Sequence, residues 1–115
     1  MPLLHLETSA VLSGAAQKTL MTALSKLVAD TLGKPEAYVM VVVQPVALLL
    51  GGTDDPAAFI DLRSIGGLSN AINRRLSEQL CGLLRERLNL SPDRVYVHFQ
   101  DVPPAQWGWN NSTFG

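Results

Sequence analysis

The stretch Gly33-Lys34-Pro35-Glu36-Ala37-Tyr38-Val39-Met40-Val41-Val42-Val43 contains the end of one helix and the start of one strand. Glycine takes the left-handed conformation that closes a last helical turn, and a proline two residues on cannot continue the helix. The run Tyr38 to Val43 is apolar at consecutive positions and rich in β-branched residues, the pattern of a strand buried on both faces. Upstream, Leu20, Ala23, Leu24, Leu27, Val28 and Thr31 recur at helical spacing, while Gln17, Lys18, Lys26 and Asp30 fall off the stripe. The spacing predicts a helix from about Ser13 to Leu32, capped by Ser13, with a short strand at Leu3 to Glu7 before it.

The second half repeats this plan. A strand at Ala58 to Ile65 leads through a Gly66-Gly67 turn to a helix from about Ser69 to Leu88, with Ile72, Leu76, Leu80, Leu83, Leu84 and Leu88 on its apolar side. Ser91-Pro92-Asp93 is a turn, and Val95 to Gln100 is the last long strand. The chain therefore reads as one α/β (α+β) domain over 1–115, with pseudo-repeats of about 2–50 and 51–115. Two β-α-β units in one sheet place four strands under two helices, because each crossover is right-handed and packs its helix on a sheet face. The other face of the sheet stays uncovered. With hydrophobic residues at 47% of the chain, that face calls for a partner, and a homo-oligomer that brings sheets together is the simplest one.

Composition excludes several classes of function. Nine basic residues balance ten acidic ones without a basic cluster, which leaves no electrostatic footprint for nucleic acid or for an anionic membrane. No apolar run approaches membrane-spanning length. The start lacks the basic and apolar regions of a secretory signal, and Cys81 has no cysteine to pair with, so a reducing cytoplasm is the expected compartment. The overlapping sequons at Asn110 and Asn111 are accordingly read as chance matches. His5 and His98 lack partners at metal-ligand spacing, and neither Gly51-Gly52 nor Gly66-Gly67 continues into a phosphate-loop pattern, so neither a metal site nor a phosphate-binding loop is expected.

Pro2 has two readings, a stiff start to an edge strand or a reactive chain terminus. Initiator methionine is normally removed before proline, which would leave a secondary amine at the N-terminus, and an α-amino group titrates near pH ~8 before its surroundings act on it. An apolar pocket and a neighbouring cation would both lower that value and make the amine a base at neutral pH.

With Pro2, Gly33-Lys34-Pro35, Ser64-Ile65-Gly66, Asn73-Arg74, Cys81-Gly82-Leu83-Leu84, Ser91-Pro92-Asp93-Arg94-Val95-Tyr96 and Gly108-Trp109-Asn110-Asn111-Ser112-Thr113-Phe114, the chain resembles the macrophage migration inhibitory factor family over essentially its whole length. The last segment favours this family over its sister, D-dopachrome tautomerase. The resemblance implies the tautomerase fold, a homotrimer of three four-stranded sheets around a central channel with six helices outside. It also implies keto–enol tautomerisation of phenylpyruvate-type 2-oxo acids, without metal or organic cofactor.

On that resemblance Pro2 is the catalytic base and Lys34 grips the substrate carboxylate. Ile65 supplies a backbone N–H and an apolar wall, Tyr96 comes from a neighbouring subunit, and Tyr38 and Trp109 line the pocket. Three departures stand out. His98 occupies a position where the family has a substrate-contacting asparagine, and Ala57 and Ile60 replace its Cys-x-x-Cys pair, so thiol–disulfide activity of that kind is not expected. Leu12 and Val46 fall where the family's receptor-mimicking arginine and aspartate lie, so cytokine-like receptor binding ranks below catalysis. Another tautomerase-superfamily reaction is the third reading; those enzymes use arginines in the pocket, and Arg63 is the one strand arginine that qualifies. Cys81, beside the apolar stripe of the second helix, reads as packing.

Overall fold

The computed structural model describes residues 1–115. In chain order it contains β1 (Pro2–Thr8), α1 (Gly14–Leu32), β2 (Met40–Pro45), β3 (Ala58–Ser64), α2 (Asn70–Leu88), β4 (Val95–Asp101), and a small hairpin of β5 (Gly108–Trp109) and β6 (Ser112–Thr113). β1 to β4 form one sheet in the order β2-β1-β3-β4. β1 runs parallel to β2 and β3 parallel to β4, while β1 and β3 meet antiparallel, so the two β-α-β units lie side by side.

Local chemistry sets the ends of the helices. Ser13 Oγ accepts from the Ala16 amide at 3.2 Å and Ser69 Oγ from the Ile72 amide at 3.1 Å, each satisfying one of the unpaired donors of a first turn. Gly33 closes α1 in the left-handed region at φ 64°, and Asn89 does the same for α2 at φ 55°. Both helices lie on one face of the sheet. Leu20, Leu24 and Val28 of α1 and Leu76, Leu80 and Leu84 of α2 are fully buried against Leu4 and Leu6 of β1 and Ile60 and Leu62 of β3. The seam is apolar throughout, so hydrophobic burial can drive the docking of both helices.

The expectation for Tyr38 to Val43 needs two corrections. The strand begins at Met40, because Pro35 leads into a 3-10 turn over Glu36–Tyr38, closed by Tyr38 N–H to Pro35 O at 3.1 Å and Val39 N–H to Glu36 O at 3.0 Å. The strand is also an edge of the sheet and is not buried on both faces: Val41 and Val43 point toward the helices, whereas Met40 is 62% exposed on the other side. Of the apolar residues of this strand, Met40 and Val42 are the ones on the uncovered side.

The uncovered face is mostly polar in its middle. Alternate residues present His5 and Glu7 from β1, Gln44 from β2, Asp61 and Arg63 from β3, and His98 and Gln100 from β4, with Phe59 and Tyr96 at one end. No helix is long and apolar enough to cross a membrane.

Candidate active site

Pro2 opens β1 beside Ser64 and is itself buried. Above it lies a cleft of about 610 Å³ lined by Met1, Pro2, Tyr38, Met40, Arg63 and Trp109 among others. That volume lies in the range that takes a small organic ligand, and most of the lining is hydrophobic. The aromatic wall is built in sequence. Tyr38 meets Trp109 edge-to-face with centroids 5.8 Å apart, and Trp109 stacks on Phe114 at 5.7 Å. Asn110 and Asn111 make this possible: at φ 50° and 66° they form the two-residue reversal that folds β6 back on β5, a conformation asparagine tolerates better than most residues. The Phe114 amide then donates to Trp107 O at 3.2 Å and ties the tail against the cleft.

Lys34 approaches from the end of α1. Its Nζ donates to Ile65 O at 3.0 Å, leaving donors free for an anion. The side chain passes over Gly67, where an added Cβ would stand 3.2 Å from Lys34 Cε, so the glycine leaves room for the lysine stem. The Ile65 turn is fixed in its own right: Ser64 Oγ donates to Gly66 O at 2.7 Å, the Gly66 amide to Asp101 Oδ1 at 2.9 Å, and the Val102 amide to Ser64 O at 2.9 Å.

Electrostatics at this corner disfavour positive charge. With Met1 present the Pro2 nitrogen is an amide, and the free amine is that of Met1. Burial, and then repulsion from Lys34, hold this amine below its ordinary range. The same two causes would act on a Pro2 amine freed one residue further in.

Of the residues singled out in the sequence, the fold brings Pro2, Tyr38 and Trp109 into one cleft; Lys34 and Ile65 do not line it, although Lys34 is near enough to the Met1 amine to repel it. Tyr96 and His98 stand apart. They lie on the uncovered face of β4, 64% exposed for Tyr96, with Tyr96 opposite Phe59 and Glu7 at the far end of the sheet from Pro2. Within one chain they do not reach the Pro2 cleft. Met40, Arg63, Gln100, Trp107 and Phe114 also line the cleft and were not candidates for it from the sequence, apart from Arg63. Their convergence depends on strand register and on the tail hairpin, although Asn110-Asn111 between Gly108-Trp109 and Ser112-Thr113 is a hairpin signal. Arg63 donates to Asp61 Oδ2 from two nitrogens, at 2.9 and 3.2 Å. No three His, Cys, Asp or Glu side chains converge as a metal site.

Comparison with known proteins gives one consistent answer. The family model for macrophage migration inhibitory factor (MIF) matches residues 1–115. The macrophage migration inhibitory factor of Meriones unguiculatus is 41% identical over 115 residues, covering 99% of each chain, and that of Mus musculus is 46% identical over 95 residues, 82% of this chain and 83% of its own length. Among solved structures, a macrophage migration inhibitory factor homologue from Prochlorococcus marinus superposes with a TM-score of 0.93 at 38% identity, covering 98% of this chain and 99% of that one.

Proposed function

The chain belongs to the macrophage migration inhibitory factor family, and from that premise we propose that, once Met1 is removed, it is a keto–enol tautomerase of phenylpyruvate-type 2-oxo acids with Pro2 as general base. One observation carries the reading: Pro2 lies buried at an aromatic cleft, and the Met1 amine beside it is held below its ordinary range by burial and by Lys34. An amine whose pKa is lowered holds its proton less tightly, so it can accept a proton from carbon and its conjugate acid can return one.

In this reaction Pro2 nitrogen takes a proton from the carbon beside the ketone. The electron pair of that C–H bond forms the new C=C bond, and the carbonyl oxygen gains the negative charge and then a proton. Lys34, with donors left after its bond to Ile65 O, holds the carboxylate. Tyr38, Trp109 and Phe114 receive the ring by edge and face contacts. A homotrimer completes each site with Tyr96 and His98 of an adjacent subunit, in keeping with their placement on the uncovered face of β4, clear of the Pro2 cleft of their own chain.

The test is phenylpyruvate tautomerisation, followed by enol absorbance, for protein shown by mass to begin at Pro2 and for Pro2→Gly. Turnover that collapses in the variant supports the assignment; processed protein without turnover refutes it. One finding favours a second reading, a different tautomerase-superfamily reaction: Arg63 lines the cleft. Its guanidinium is engaged by Asp61, so Arg63→Ala should retain most tautomerase turnover, and its loss would move the assignment toward arginine-dependent chemistry.

A further inference from the structure

One register row of the uncovered face sets His5, Asp61 and His98 side by side on β1, β3 and β4. Within it the two oxygens of Asp61 serve different partners. Oδ1 lies 3.1 Å from His98 Nδ1, and Oδ2 accepts from Arg63 NH2 at 2.9 Å and from Arg63 Nε at 3.2 Å. Burial alone would raise the Asp61 pKa, but hydrogen bonds and charge from Arg63 and His98 outweigh it and hold the group below the ordinary carboxylate range. Asp61 is therefore an ionised, accept-only partner.

A partner that only accepts obliges the ring nitrogen facing it to carry hydrogen. The neutral imidazole then bears its proton on Nδ1 and leaves Nε2 as a bare acceptor. This differs from an asparagine, whose amide offers both a donor and an acceptor.

We propose that Asp61 is a positioning residue that holds His98 in the Nδ1-protonated tautomer, so that Nε2 selects 2-oxo acids whose ring end carries a hydroxyl donor over the same acids without it. The inference rests on the reading that β4 of one subunit completes the site of the next. Proton transfer at Pro2 lies at the other end of the substrate, so the selection acts on binding.

Arg63 makes the idea testable with a near-isosteric change. In Asp61→Asn the two guanidinium donors claim the amide oxygen, which turns the NH2 group toward His98 Nδ1. A donor at that place demands a bare Nδ1 and moves the ring proton to Nε2, so an acceptor becomes a donor with the geometry kept.

The experiment compares kcat/KM for 4-hydroxyphenylpyruvate and phenylpyruvate at about pH 8.5, well above the ordinary imidazole range of ~6.5. It uses the processed parent, Asp61→Asn, His98→Asn and the double variant, with the ring tautomers read from 15N spectra. His5→Gln identifies which of the two histidine signals belongs to His98. The expected result is a shift of the His98 proton from Nδ1 to Nε2 in Asp61→Asn. The preference for the hydroxylated acid should fall about tenfold, mainly through KM, the scale of one neutral hydrogen bond lost and its partner left opposed. On the His98→Asn background, Asp61→Asn should leave that preference unchanged. A parent His98 protonated on Nε2, or a preference that survives Asp61→Asn, overturns the proposal. If neither acid turns over in the parent, the tautomerase reading fails instead, and with it the specificity claim, while the spectra still decide whether Asp61 sets the tautomer.

Discussion

Tyr96 provides a test of subunit sharing whose outcome follows from the geometry. Pro2 pairs with Ser64, which pairs with Asp101, whereas Tyr96 pairs with Phe59 at the opposite end of β4. The steps from Tyr96 to Asp101 span about 17 Å at ~3.3 Å per residue, well beyond a tyrosine side chain, so Tyr96 cannot serve the Pro2 of its own chain. A site built from two subunits can be rebuilt from two defective ones. If Pro2→Gly abolishes turnover and Tyr96→Ala lowers it tenfold, an unexchanged equal mixture retains about one twentieth of parental activity, counting half the chains at a tenth each. After subunits exchange, a site has an intact Pro2 with probability of one half and an intact neighbouring Tyr96 with probability of one half. Activity should rise to roughly one quarter, a fivefold gain. The assay is phenylpyruvate turnover of the two variants mixed, unfolded together and refolded, beside each variant refolded alone. A mixture that stays at about one twentieth, with exchange verified by native mass spectrometry of tagged subunits, would refute the shared site.

Lys34→Ala should move the acid limb of the kcat/KM profile to higher pH and raise KM. Removing a neighbouring cation relieves the repulsion that destabilises the protonated amine, so its pKa climbs and more alkaline solution is needed to free the base; an unmoved limb would mean that burial alone sets the value. Cys81 has a thiol pushed up by burial and sits half-buried on α2, so it should react with a disulfide reagent at neutral pH far more slowly than a free cysteine, and quickly only after unfolding. Leu80→Ala empties a fully buried position where α2 meets the core and should cost about 2–5 kcal/mol, read as a lower urea midpoint with a similar slope.

The elements whose ends carry specific side-chain chemistry were legible in the sequence. Ser13, Gly33 and Ser69 mark helix ends by hydrogen bonds and backbone angles that involve only near neighbours, and the structure places them at those ends. β2 was legible as a strand but not as an edge. An apolar run reports that its surroundings are dry, and a neighbouring strand, a helix and a second copy of the chain all satisfy that condition. The tail hairpin lies between these cases: Asn110-Asn111 carries a local signal, yet its partners Tyr38 and Phe114 are set by how the tail crosses the sheet.

The row His5, Asp61, His98 and the link from Asp61 to Arg63 belong to the part that sequence does not reveal. Residues this far apart become neighbours only through register, and a shift of one residue in β3 would turn Asp61 into the core and Ile60 out of it. The register is secured by the helix face, where Leu4 opposes Leu62 and Leu6 opposes Ile60 in a fully buried apolar seam. Burial on one side of the sheet thereby fixes polar pairing on the other. A mutation that loosened the Leu4–Leu62 seam would weaken the hold of Asp61 on His98 without touching either residue. The polar row His5, Asp61 and His98 and the hydrophobic core are two faces of one register.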